Sequence, residues 1–167
     1  MAKTPENPGT GELIRQLKDL LNGGQAHATF EDAVKDFPEE HRGVVPEGLP
    51  YSAWQLVEHI RIAQRDILEF SAPPTGGYQP KAWPEDYWPE FPKPSSAQAW
   101  EASIEAIRKD RAAFVELLSR PGADLYKPFR WGEGQNLLRE ALLIADHNAY
   151  HVGEIVMLRR LLGIWHK

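Results

Sequence analysis

Apolar residues recur at three- and four-residue spacings over four long stretches of this chain, the period of helices that each bury one face. Between Thr10 and Leu21 the residues Leu13, Ile14, Leu17, Leu20 and Leu21 share a side, and Asn22-Gly23-Gly24 ends the pattern. A short connecting helix is predicted over Thr29–Phe37, with Thr29 as N-cap and Pro38 as the stop. From Ser52 to Phe70 no Gly or Pro interrupts the repeat of Leu56, Ile60, Ala63 and Ile67. Ser52 and Gln55 have capping-box spacing there, and Pro73-Pro74 close the element. Trp100, Ile104, Ile107, Phe114 and Leu118 mark a helix over Ser95–Ser119, capped by Ser95 or Ser96 and closed by Pro121-Gly122. The longest helix is predicted from Asn136 to Leu162, about 40 Å at 1.5 Å per residue. Gly163 stops it, and Arg159 and Arg160 suit the negative end of its dipole. With no convincing β-alternation, the pattern is that of an all-α four-helix bundle with a short extra helix. One domain over 1–167 is expected, with residues 1–9 frayed.

The segment 71–94, SAPPTGGYQPKAWPEDYWPEFPKP, breaks the pattern. It holds seven of the fourteen prolines together with Tyr78, Trp83, Tyr87, Trp88 and Phe91, and reads as neither helix nor strand. Its aromatics argue against disorder. Such a long loop either straps the apolar side of the bundle or walls and covers a pocket. Arg111 falls on the apolar stripe of its helix, so it either snorkels outward along its aliphatic stem or presents a cation to the interior.

Length and charge narrow the function. At 167 residues the chain has room for one ordinary domain and not for two full enzyme domains. Its 19 Lys plus Arg against 24 Asp plus Glu leave a net charge of −5, which disfavours a dedicated nucleic-acid binder. With no cysteine, disulfides, thiolate metal sites and thiol nucleophiles are excluded, and His, Asp and Glu remain for metal or acid–base chemistry. The opening MAKTPENPGTGE lacks the apolar run of an export signal, and the apolar stretch Ala141–Ala145 is far too short to cross a bilayer. A cytoplasmic protein with no membrane association is the expectation.

Among six histidines, His147 and His151 stand four apart in Asp-His-Asn-Ala-Tyr-His, so they project from one helix face about one turn apart. Such a pair can grip one metal ion at about 2.0–2.1 Å from each imidazole nitrogen. Asn148 stands where a zincin has its glutamate, which excludes that class. A third ligand must come from elsewhere. His59 qualifies, because it lies inside the apolar stripe of the second long helix, three after Leu56 and four before Ala63. Inward imidazoles cost desolvation unless something receives their nitrogens. Glu154 shares a face with His147 and His151 and is open to three roles: fourth ligand, outer-shell acceptor or general base. Glu58 and Asp146 each precede a candidate ligand and point about 100° away, toward solvent or helix contacts. His27, His41 and His166 read as surface residues.

With Trp54-Gln-Leu-Val-Glu-His59, Asp146-His-Asn-Ala-Tyr-His151 and the Ala82-Trp-Pro-Glu-Asp-Tyr-Trp-Pro89 segment, the chain resembles the DinB superfamily, the DinB/YfiT-like metalloenzymes, over nearly its whole length. The resemblance implies an up-down-down-up four-helix bundle in which His59, His147 and His151 bind a divalent metal, most often Ni or Zn, with Fe, Mn or Co as lesser choices. It also implies a homodimer and, from some relatives, a low-molecular-weight thiol as cosubstrate in S-transfer or isomerisation. The expected function is that of a metal-dependent enzyme on a small-molecule substrate, of hydrolase or thiol S-transferase type. Trp54 and the Pro/aromatic segment are then the expected pocket walls. Two rivals stand beside it: a non-catalytic bundle whose ion is a structural or regulatory clip, and a bis-His haem site using His59. Metal affinity is expected to weaken below about pH 6.5, where free imidazole protonates.

Overall fold

The computed structural model describes residues 8–23 and 25–165. Among them are five α-helices and no strand: α1 (Pro8–Asn22), α2 (Phe30–Val34), α3 (Ala53–Ser71), α4 (Ala97–Ser119) and α5 (Leu137–Leu161). The long helices fall where the apolar spacing predicts them, and their starts are built as the sequence implies. Ser52 accepts from the Gln55 backbone N–H while the Gln55 side chain accepts from the Ser52 N–H, a complete capping box. Ser96 and Asn136 cap α4 and α5 without the reciprocal bond, their side chains accepting from the Ala99 and Arg139 N–H. No helix is long and apolar enough to cross a membrane.

Three expectations need correction at their edges. α1 begins at Pro8, so Pro8 and Gly9 are helical, because a proline in the first turn gives up an N–H that has no intrahelical acceptor anyway. The rest of the expected frayed start, residues 1–7, lies outside the described residues, and Leu20 of the α1 stripe is exposed. α2 is shorter than Thr29–Phe37. The Thr29–Asp32 capping box starts it, but Lys35 leaves the helical region and Asp36 takes a left-handed φ of 49°. The buried Arg159 of α5 holds the carbonyls of Ala33 and Lys35 at 3.0 and 2.8 Å, satisfying groups that a longer helix would pair internally.

α3 and α4 lie side by side and run parallel: Glu58 meets Ser103, Gln64 meets the Ile107 carbonyl and Arg65 meets Asp110. α5 runs antiparallel to α3, with His59 facing His147 and His151 while Asp66 and Phe70 share a cavity with Arg139 and Glu140. α1 packs on α4 and α5. Parallel neighbours cannot be joined by a tight turn. The chain must return along the 19 residues of α3, about 28 Å, and the Pro/aromatic segment is that return. Tyr78 reaches Asp66, the Tyr87 carbonyl reaches His59 and the Pro92 carbonyl accepts from Ser52 Oγ, each step nearer the start of α3. One 3₁₀ turn, Glu85–Tyr87, interrupts what the sequence presented as wholly irregular.

The core has two apolar parts. One gathers Trp54, Ile60, Trp100, Ile107 and Ile155, the other Leu17, Ile67, Phe114, Leu118 and Ile144. Between them α3, α4 and α5 contribute Gln64, Asp110 and Asn148, a polar layer across the bundle. Arg111 snorkels to its edge, where Nη2 bonds Glu31 of α2 at 3.0 Å.

Candidate metal centre

α3 and α5 bring His59, His147 and His151 together so that one ring nitrogen from each lies within 4.8 Å of the others. His59 is 3% exposed and His151 7%, with His147 half-buried. The trio predicted from spacing therefore converges.

Hydrogen bonds fix which nitrogen two of the rings offer. The Tyr87 carbonyl, 2.9 Å from His59 Nδ1, can only accept, so His59 donates from Nδ1 and its Nε2 carries a lone pair. His151 Nδ1 lies 2.7 Å from Glu154 Oε2 and donates to it, which leaves Nε2 bare in the same way. For His147 an amide relay supplies an acceptor near Nδ1. The Ile107 carbonyl accepts from Gln64 Nε2 at 2.7 Å, so Gln64 turns its oxygen to Asn148 Nδ2 at 2.8 Å. Asn148 Oδ1 then faces His147 Nδ1 across a long 3.5 Å. His59 and His151 thus leave Nε2 bare, and His147 donates to His59 Nε2 in one tautomer and offers a third bare Nε2 in the other. Nε2 of His59 and Nε2 of His147 are 3.0 Å apart. Two nitrogens held about 2.0–2.1 Å from one ion at 90–110° would lie about 2.9–3.4 Å apart, so the His59–His147 pair fits a divalent cation, with His151 close by.

Electrostatics keep the donors ready. Burial, with the neighbouring imidazoles adding to it, lowers the His147 pKa to about 4 and the His151 pKa to about 4. Burial also lowers that of His59, against the hydrogen bond to Tyr87. Neutral rings are the metal-binding form, so the window in which protons compete lies nearer pH 4 than the 6.5 expected for free imidazole. Trp88 stacks on His59 with centroids 3.9 Å apart and Tyr51 stacks on the far side of Trp88, so the returning segment clamps this ligand.

A cavity of about 340 Å³ opens beside His59 and His147. Ala63, Ile67, Phe70 and Leu143 give it an apolar floor, and Tyr78, Trp83 and Tyr87 of the returning segment wall it. That segment is therefore both strap and wall. Trp54 is not a wall residue: it is buried in the apolar core. Asp66 and Glu140 also face the cavity, and sequence reasoning missed both. Their signal was a seven-residue displacement, Asp66 after His59 and Glu140 before His147, which on antiparallel helices points the same way. Asp66 accepts from the hydroxyls of Tyr78 and Tyr87 at 3.0 and 2.6 Å, and burial and this carboxylate push the Tyr78 phenol up to about 12. Glu140, 1% exposed, pairs with Arg139 at 2.9 Å, and burial raises its pKa.

Glu154 accepts from His151 Nδ1 at 2.7 Å, the contact of an outer-shell acceptor, and lies outside the three-nitrogen group. Glu58 makes a helix contact, bonding Arg61 and Ser103, and Asp146 is exposed. His27 is exposed, His41 is partly buried with 31% of its side chain accessible, and His166 lies outside the described residues.

No curated protein and no solved structure matches the chain. A family model described as the DinB superfamily matches residues 24–155, which include α2 to α4, the returning segment, all three histidines and most of α5. By that match, over more than half its length, the chain belongs to the DinB superfamily.

Proposed function

We propose that the chain is a metal-dependent enzyme of small molecules, with His59, His147 and His151 holding one divalent ion through Nε2. The observation that carries this reading is the convergence of three imidazoles, two of them with Nδ1 engaged and Nε2 bare, at the edge of a cavity sized for a small molecule. An all-imidazole donor set suits Zn or Ni, and also Fe or Co. Such an ion supplies Lewis acidity, acidifying a water or thiol ligand or polarising a carbonyl.

The chain's own residues do the rest. Tyr87 and Glu154 orient two ligands, while Trp83, Tyr78 and Phe70 offer aromatic faces to the apolar part of a substrate. A thiol, if one reacts here, must arrive as a cosubstrate, because the chain has no cysteine. The acidic balance fits a cytoplasmic protein working on small molecules rather than nucleic acid. Structural zinc sites usually close with four protein ligands, and three histidines beside a cavity fit that role poorly.

Metal content of tag-free protein prepared without added nickel tests the reading. One ion per chain is expected, lost in His59→Ala, His147→Ala and His151→Ala; retention by all three variants would overturn the assignment. In cobalt-substituted protein, a spectrum perturbed by azide or a small thiol marks an open site. An unchanged spectrum at saturation marks a structural clip.

A further inference from the structure

The cavity beside the histidines has two unlike ends. Asp66 follows His59 by seven residues on α3, and Glu140 precedes His147 by seven on the antiparallel α5. Both carboxylates therefore stand two turns, roughly 10 Å, along the helices from the imidazoles and on the same side of them. Both are buried, and the charge of Asp66 adds to the burial that raises the Glu140 pKa. Two carboxylates sunk in the interior are costly unless something positive meets them.

The chain's own cation meets them only from outside. Arg139 Nη1 spans the two oxygens of Glu140 at 2.9 and 3.1 Å, but 54% of the Arg139 side chain is accessible against 1% of that of Glu140. Water screens the guanidinium far more than the carboxylate. Asp66 receives neutral donors, one phenol on each oxygen. Among the described residues lining the cavity, Arg139 is the one Lys or Arg, so this end carries a negative excess. Aromatic rings frame it. The Tyr78 hydroxyl reaches Asp66, and Phe70, one turn beyond Asp66, meets the Tyr78 ring edge-on with centroids 5.1 Å apart. Ring faces attract a cation through their quadrupole and cover the carbon atoms that carry it. A neutral molecule gains only the rings, an anion is repelled by both carboxylates, and a small organic cation gains from both features.

We propose that the substrate of this site is an amine, with its ammonium group at the Asp66 and Glu140 end, a short apolar or aromatic body along the rings and its reacting group toward the three histidines. As a substrate class this rests on the metal-dependent reading; as a binding site it stands on the carboxylates and rings alone. Each carboxylate oxygen has two acceptor positions, and those not taken by the tyrosines and Arg139 receive the ammonium N–H groups. The spacing along the helices limits the two ends of the molecule to a separation of about 10 Å. A cavity of about 340 Å³ suits a phenyl-sized body with a short chain. A divalent ion at the histidines repels the ammonium, which fixes the way round the molecule lies.

Equilibrium dialysis of the full chain at neutral pH reads the binding of 2-phenylethylamine, which is protonated there, against neutral 2-phenylethanol and anionic 3-phenylpropionate. The amine is expected to bind about tenfold or more tightly than the alcohol. Glu140→Gln and Asp66→Asn keep the shape of the cavity and remove one charge each. Each should cost the amine about tenfold in affinity and leave the alcohol within about twofold, which also shows that the cavity is still formed. The same series in chelator-treated protein separates this proposal from the metal-dependent reading, which metal content decides by itself. The amine is expected to keep its advantage without metal, with the acid binding weakest. An advantage seen only with metal would put the amine nitrogen on the ion and overturn the proposal. Equal binding of amine and alcohol, an acid that binds metal-free protein as tightly as the amine, or an amine advantage undiminished in both variants would overturn it as well.

Discussion

Glu58 and His59 are neighbours on α3, both buried, and they have opposite hydrogen-bond economies. The Glu58 carboxylate accepts from Arg61 at 2.7 and 2.9 Å and from Ser103 Oγ at 2.6 Å, so both its oxygens are engaged. His59 donates from Nδ1 to the Tyr87 carbonyl and turns Nε2 toward His147 Nε2 at 3.0 Å. The first cluster ties α3 to α4 and is complete. The second ties α3 to α5 through ring nitrogens close enough together for one ion to share. Buried polar groups hold a fold when every one is matched; ring nitrogens converging in the interior point to a ligand.

The largest expected break of this contrast is with pH, in protein stripped of metal. His147 and His151 have pKa values lowered from 6.5 to about 4 in the folded state, so the unfolded chain takes up their protons first. The stability from burying them neutral is therefore full above pH 6.5 and lost as pH falls from there toward 4. Thermal melts across that window should show a steeper loss for the wild type than for His147→Gln. Equal slopes would mean that these rings are not buried neutral. Bound metal should flatten the curve until protons displace it near the lower end.

A smaller effect is expected from the acceptor behind His151. Removing an outer-shell partner of a metal ligand typically costs 10–100-fold in metal affinity, so Glu154→Ala should weaken binding by about that factor, with Glu154→Gln retaining more because its carbonyl oxygen can still accept. Competitive titration against a chromogenic chelator measures it. A wild-type affinity in Glu154→Ala would show that the 2.7 Å contact does not orient the ring.

Much of this arrangement was legible in the chain. Three- and four-residue spacing places Ile60, Ile104 and Ile155 in the core, and the same spacing puts His59 inward and His147 beside His151. Periodicity says which way a residue points on its own helix. It says nothing of which helices are neighbours, so it cannot mark Asp66 and Glu140, which share a cavity only because α3 and α5 are antiparallel. Tyr87 holds His59 through its backbone carbonyl, and any residue type offers that group. Trp54 shows the converse error, an aromatic beside a motif that serves only packing.

The smallest effect should come from the complete cluster, and it sharpens the contrast because it must leave the site untouched. Ser103→Ala removes one of three donors to Glu58 while Arg61, a third exposed, keeps the carboxylate paired. A hydrogen bond to a charged group contributes about 1.5–3 kcal/mol, and the remaining partner with entering water should hold the loss near the lower figure. For a domain of this size that is a fall of about 3–6 °C in melting temperature. Metal affinity should stay within about twofold of wild type, well short of the loss expected behind a ligand. Since Glu58 and His59 adjoin on one rigid helix turn, an affinity loss in Ser103→Ala as large as that in Glu154→Ala would mean that the α3–α4 contact sets the position of His59. The division between a cluster that holds the fold and one that holds a ligand would then fail.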